Sequence, residues 1–234
     1  MNIKNSKKFS EDSRIESAYV ITVRNNKISE DMARRCIVSC NNIGMPIKVW
    51  EAFNGTTQGN VIAPKFLQNK EYIYWPKVPN CRMSSSQVAI CYSHYSLWCH
   101  CITIDKPIVI LEHDAIFLKP FLYHRFYNTI EFLGCVEQIQ GEQLTPFIPP
   151  HGSIFDRRWR FLCRAHAYSI DPSIARQMIA HVVEQGFVKT LDVILRADIF
   201  PIVQQDIFAY DKAGQSINFE INDKPLGYGY TTEM

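Results

Sequence analysis

Residues 108–117 read IVILEHDAIF. Ile108 to Leu111 form an unbroken aliphatic run, the pattern of a buried strand. Glu112, His113 and Asp114 follow it with no spacer. Buried carboxylates are costly unless something pairs with them. The run is therefore read as a strand that ends in the open, at a site. Glu112 and Asp114 lie two residues apart, so on an extended backbone they face one side and His113 the other. Paired oxygen ligands suit a hard divalent ion such as Mg²⁺ or Mn²⁺. A strand-end turn with solvated carboxylates suits the same residues, and the segment alone does not choose between them.

The flanking segments place this strand in an alternating series. Upstream, SSSQVAICYSHYSLWCHCITI (84–104) predicts a helix that Ser84 to Ser86 can cap. SAYVITV (17–23) predicts a central strand. SEDMARRCIVSCNNIG (29–44) predicts a helix with Ser29 at its N-cap, Glu30 and Asp31 at the positive end of its dipole, and an apolar stripe of Met32, Cys36, Ile37 and Cys40. Gly44 and Pro46 stop it. IKVWEAF (47–53) predicts the next strand and NGT (54–56) a turn, which completes a βαβ unit. Residues 57–83, with Pro64, Pro76 and Pro79, read as irregular.

Downstream, FLYHRFYNTIEFLG (121–134) is read as a helix ending at Gly134. Residues 135–160 are rich in Gln, Pro and Gly, end in DRRWR, and read as a loop. FLCRAHAYSI (161–170) predicts a strand. DPSIARQMIAHVVEQG (171–186) predicts a helix capped by Asp171, with Pro172 in its first turn and Gly186 at its end. KTLDVILRADI and FPIVQQDIFAY follow. The alternation predicts an α/β fold with a mostly parallel central sheet flanked by helices. Residues 1–16 are expected to form a flexible arm, 17–215 the folded domain and 216–234 a polar tail.

Bulk properties narrow the function. The chain has 234 residues, 47% of them hydrophobic, enough for a sizeable core. A formal charge of +2 sets up no strong field, so nucleic acid is not an expected partner. No apolar run approaches the roughly 18 residues of a spanning helix. The opening MNIKNSKKFSED lacks the apolar core of a signal peptide. These features lead us to expect a cytoplasmic protein, either free or peripheral at a membrane surface, or one made in the cytoplasm of a host. The eight cysteines include no Cys-x-x-Cys pair. Cys91 and Cys101, in one helix, lie roughly 15 Å apart along its axis, too far to share an ion. They read as small buried hydrophobes in a reducing compartment.

Several segments together resemble glycosyltransferase family 25, whose members include lipopolysaccharide and collagen galactosyltransferases. YVITVRNNKISEDMARR (19–35) resembles the family's opening strand and Arg-rich helix, and WEAFNGT (50–56) its Ala-x-x-Gly turn. SSSQVAICYSHYSLWCHCI (84–102) resembles its Cys-x-Ser-His-x-x-x-Trp helix, and PIVILEHDAIF its Ile-Leu-Glu-Asp-Asp strand. RAHAYSIDPSIARQMI (164–179) resembles its Ala-Tyr-x-Ile-Ser segment, and TLDVIL (190–195) a later segment built around one Asp. Two departures stand out. His113 replaces the middle Asp of Glu-Asp-Asp, and Gln87-Val88-Ala89 replaces Glu-x-Gly before the Cys.

The resemblance implies a GT-A type fold, a Rossmann-like domain that binds a nucleotide sugar and uses an acidic motif with Mn²⁺ or Mg²⁺. It implies inverting transfer of galactose or another hexose to a glycan, lipooligosaccharide or glycoprotein hydroxyl. Asp114 becomes the candidate metal ligand, and Glu112 a second ligand or a partner of the donor's ribose. Asp192, alone among apolar neighbours, becomes the candidate base, although a helix-turn cap or an Arg partner reads equally well. Ser93 and His94 become candidate donor contacts, with a hydrogen-bonded core pair as the plain alternative. Arg24 is a candidate nucleotide contact or a solvated surface residue, and Trp98 reads as core. Arg157, Arg158 and Trp159, with Arg160, could grip an anionic acceptor or form a solvated basic loop. The chain is near minimal for the family, so a partner or a missing subdomain is one way to complete the acceptor site, and a homo-oligomer is among the expected assemblies.

Two other functions compete. An inactive nucleotide-sugar or carbohydrate-binding module fits His113 and the short chain. A phosphate-ester hydrolase is disfavoured, because a two-metal site needs more clustered ligands than the sequence places together.

Overall fold

The computed structural model describes residues 11–56, 59–68, 74–79, 83–136, 165–203 and 206–211. In chain order the elements are β1 (Ala18–Thr22), α1 (Lys27–Asn42), β2 (Ile47–Glu51), β3 (Asn54–Gly55), β4 (Val61–Ile62), α2 (Ser85–Ile104) and β5 (Ile108–Glu112). Then come β6 (Ala115–Phe117), β7 (Ile130–Phe132), β8 (Gly134–Val136), β9 (Ala167–Ile170), α3 (Pro172–Gln185), α4 (Leu191–Ile194), β10 (Ile202–Val203) and β11 (Ala209–Asp211). Six strands form the main sheet in the order β10-β7-β9-β5-β1-β2. β9 alone opposes the common direction, pairing antiparallel with β5 and β7. The fold is thus α/β with a mostly parallel mixed sheet. A small sheet β6-β11-β8 and the hairpin β3-β4 complete it.

The aliphatic run of β5 follows from burial on both faces. Ile108 and Ile110 pack with Tyr95, Trp98, Tyr168 and Met178 on the side of α2 and α3. Val109 and Leu111 pack with Val20, Cys36, Cys40 and Phe117 on the side of α1 and β6. All four are fully buried. Each such side chain contributes about 1.5–3 kcal/mol relative to exposure. β1 alternates in the same way, with Tyr19 and Ile21 on one face and Ala18 and Val20 on the other.

Both expected long helices after residue 80 form. α2 opens with a capping box in which Ser84 accepts from Gln87 N and the Gln87 side chain accepts from Ser84 N. α3 opens with Asp171 accepting from Ile174 N at 2.9 Å and closes at Gly186, whose φ of 75° favours glycine. Cys36, Cys40, Cys91 and Cys101 are buried thiols, and Cys99 is partly covered. No helix of the described residues is long and apolar enough to cross a membrane. At the end of the expected arm, Ile15 is buried and its N–H bonds Leu122 O.

Three expectations need correction. α1 starts at Lys27 with Asn26 as its N-cap, not at Ser29. Asn26 accepts from Ser29 N at 3.0 Å, while the Ser29 hydroxyl faces inward and accepts from Val23 N at 2.9 Å. Residues 121–134 form no helix. The chain there makes a bridge from Tyr123 to Arg14, turns through Asn128 at φ 56° and enters β7. Tertiary bonds override helix propensity: the buried carboxylate of Glu131 accepts from Arg125, and Asp171 accepts from Asn128 N. The strand expected over 161–170 is described from Ala167 to Ile170. Residues 161–164 lie outside the described residues.

Candidate functional site

β2, β1 and β5 run parallel and end at the same edge of the sheet, with Ile21 of β1 in register with Glu112 of β5. Ligands of open α/β sheets bind beyond this edge. A cleft lies there between the strand ends and α2. Its cavity measures about 100 Å³ and opens to solvent. Ile21, Val23 and Asn26 line it from β1 and the turn into α1. Ala52 to Gly55 line it after β2, and Ser86, Ala89, Ile90, Ser93 and His94 line it from α2. Glu112, His113 and Asp114 close the third side.

The pleat of β5 carries Glu112 to the α2 face, in phase with Ile108 and Ile110. There Glu112 Oε1 lies 3.6 Å from His94 Nε2. The strand ends at Glu112, and residues 113 and 114 form a turn. The alternation expected to pair Glu112 with Asp114 therefore stops one residue short. His113 turns towards α1, with Nδ1 3.1 Å from Ser29 Oγ, yet it lines the cleft beside both carboxylates. Asp114 also lines the cleft, and its charge reaches Cys36 of α1, whose thiol is held well above its ordinary pKa chiefly by its bond to Cys40.

His94 is 1% exposed and part of a directional chain. Trp98 Nε1 donates to Tyr168 Oη at 3.0 Å, since an indole N–H can only donate. The Tyr168 hydroxyl lies 2.8 Å from His94 Nδ1, and the two rings lie nearly parallel with centroids 5.7 Å apart. Tyr168 is fully buried, and donating its proton to Nδ1 satisfies that proton. The imidazole then carries its own proton on Nε2, facing Glu112. Burial pulls the pKa of His94 down to about 3, against the opposing charge of Asp192, so the ring is neutral near pH 7. Burial likewise pulls His113 down to about 4.

The other expected residues fall into distinct places. The Ser93 hydroxyl lines the cleft, but it donates to Ala89 O at 2.7 Å and accepts from Phe53 N at 2.9 Å, tying the turn after β2 to α2. Trp98 is core, as expected. Arg24 is exposed and pairs with Glu51 at 3.6 Å. It lines a separate groove between α1 and β2 with Glu30 and Arg34. Asp192 lies in the first turn of α4 and accepts from Ala165 N at 3.0 Å. It is half-buried and outside the cleft wall, acting on His94 through its charge. Arg157, Arg158 and Trp159 lie outside the described residues.

Asn26, Asn54, Gly55 and Ser86 line the cleft although the sequence reading gave them no role at a site. Gly55 carried a signal in the Ala-x-x-Gly turn. A Cβ there would lie 2.4 Å from the backbone of Ser85 and Ser86, so only glycine allows this approach of β3 to α2.

Among the described residues no group of three or more His, Cys, Asp or Glu side chains could hold a metal ion by itself. Glu112 and Asp114 bring two carboxylates to the cleft. That number is what Mg²⁺ takes from a protein when substrate phosphates complete its shell. The donor set fits an ion arriving with a phosphate-bearing ligand, and not a preformed all-protein site. Residues 18–195, more than half of the chain, match the family model described as Glycosyltransferase family 25 (LPS biosynthesis protein). No curated protein matches the chain.

Proposed function

Because this chain belongs to glycosyltransferase family 25, we propose that it moves a hexose from a nucleoside-diphosphate sugar to a glycan hydroxyl, with inversion, on a GT-A type domain. The observation carrying this reading is the cleft at the carboxyl ends of β1, β2 and β5, which Glu112 and Asp114 both line. The apolar residues Ile21, Val23, Ala52 and Phe53 suit the flat faces of a base or ribose. The Asn26 and Asn54 amides offer donors and acceptors for their polar edges. A divalent ion, Mn²⁺ or Mg²⁺, held by Asp114 and Glu112 would offset the charge that develops on the leaving diphosphate.

His94 Nε2 faces the Glu112 carboxylate at 3.6 Å, and Tyr168 and Trp98 hold His94 in that orientation. Asp192 is the candidate base that takes the proton of the attacking acceptor hydroxyl. Its bond from Ala165 N fixes its direction. The family's description points to the glycan of a lipopolysaccharide as acceptor.

The test is incubation with a panel of nucleotide sugars and Mn²⁺, followed by release of nucleoside diphosphate. A matching donor should be hydrolysed slowly even without acceptor. It should also raise the melting temperature, since ligand at a hundred times its Kd adds about 2.7 kcal/mol. No release and no stabilisation by any donor would refute the reading. A second reading, an inactive sugar-nucleotide-binding module, is favoured by His113 in the acidic motif. Stabilisation without release, even with acceptor glycans supplied, would select it.

A further inference from the structure

We propose that His113 binds the occupant of the cleft as a fixed hydrogen-bond donor, its Nε2–H directed at an anionic oxygen. Under the transferase reading, on which this inference rests, that oxygen belongs to the diphosphate. The argument begins at Ser29, which is fully buried in the first turns of α1. Its Oγ accepts from Val23 N at 2.9 Å and lies 3.1 Å from His113 Nδ1. A hydroxyl has one proton to donate. Donating it to Nδ1 satisfies both groups. A proton on Nδ1 instead would leave the buried Ser29 proton with no acceptor at this contact, which native interiors avoid. The bond thus assigns the lone pair to Nδ1 and the ring's proton to Nε2.

Nε2 is then the one ring nitrogen left for whatever occupies the cleft, because Nδ1 is turned to α1. A nitrogen that carries a proton offers no lone pair to a metal, so His113 differs in kind from Glu112 and Asp114 on either side of it. Charge points the same way. A carboxylate at this position would place three consecutive acidic residues at the mouth of the cleft. The imidazole removes one negative charge and adds a donor, and both changes favour an anionic ligand. The serine that the sequence offers as a helix cap is used instead to orient this ring.

Two measurements test the proposal. Imidazole ¹⁵N–¹H correlation spectra of the ¹⁵N-histidine-labelled protein, assigned by comparison with His113→Gln, should show His113 with its proton on Nε2. A proton on Nδ1 would overturn the assignment. Calorimetric titration with ADP, CDP, GDP and UDP in Mg²⁺ gives the second readout. His113→Ala should bind the preferred diphosphate roughly ten- to a hundredfold more weakly, the range of a charge-assisted hydrogen bond. The Mg²⁺ concentration for half-maximal binding should not change, and His113→Gln, which restores an N–H, should recover part of the loss. Equal affinity in the Ala variant would overturn the proposal, as would a shift in the Mg²⁺ requirement, which would make the ring an ion ligand. Should the parent bind none of the four diphosphates, the transferase reading falls and takes this inference with it.

Discussion

Replacing Gly55 with alanine adds one methyl group to the wall of the cleft. That carbon would lie 2.4 Å from Ser85 C and Ser86 N and 2.6 Å from Ser85 O. Carbon contacts settle near 3.5–4.0 Å, so the gap must open by about 1 Å. The crowded atoms are backbone, and no rotamer change relieves them. They belong to the first turn of α2, which is held by its capping box and by Ser85 Oγ donating to Thr56 O at 2.6 Å. Either the β3-β4 hairpin or the start of α2 has to move. Overpacking of this kind costs about 1–3 kcal/mol. At roughly 2–4 °C per kcal/mol for a chain of this size, the melting temperature should fall by roughly 2–12 °C. Asn54 and Ser86 would be displaced with the backbone, so stabilisation by a nucleotide-sugar ligand should shrink as well. Circular-dichroism melts with and without that ligand read both effects. A variant that melts within about 1 °C of the parent, with the ligand shift intact, would show that β3 does not press on α2.

Asp114→Asn should leave the fold unchanged and abolish Mn²⁺-dependent donor binding in calorimetry; equal Mn²⁺-dependent binding by variant and parent would remove Asp114 from the ion's shell. Asp192→Asn should lower transfer by roughly a hundred- to ten-thousandfold with donor affinity nearly intact, the loss expected for a general base. Lost donor binding would instead make Asp192 a donor contact. The buried histidines predict acid lability. His94, at about 3, and His113 and His124, at about 4, all lie below the unfolded value near 6.5. The unfolded chain binds the extra protons, so their stabilisation is complete above about pH 6.5 and is lost as pH falls towards 4 and 3. Glu131, pushed up by burial, acts in the opposite direction. Denaturant melts at pH 7.5 and 5 should show lower stability at pH 5; an equal or higher value would contradict the burial of these rings.

β1, β2, β5, β9 and the two long helices after residue 80 are legible because their signals are local. A run such as Ile108 to Leu111, a Ser84/Gln87 box and an Asp171-Pro172 start each act within one turn or one strand. The segment 121–134 was misread because what holds it is remote. Arg14, Asp171 and buried Glu131 fix that chain, and no pattern within the segment announces them. In the site, the acidic residues were legible from their place after an apolar run. The direction of His113 was not, since it depends on where the pleat ends and on Ser29, 84 positions away in sequence. Arg24 reads as a nucleotide contact or a solvated surface residue, and the structure leaves it exposed, paired with Glu51 at a groove apart from the cleft.

The reversed course of β9 has a consequence for how this scaffold can vary. Because β9 runs against β5, Ala167 stands opposite Leu111, and His166 O accepts from Glu112 N at 2.9 Å. The strand is therefore entered at the rim of the cleft, whereas a parallel strand would be entered at the far edge of the sheet. An exchange in β9 that disturbs its pairing therefore reaches the backbone of Glu112 at the cleft, which limits how far this strand can vary.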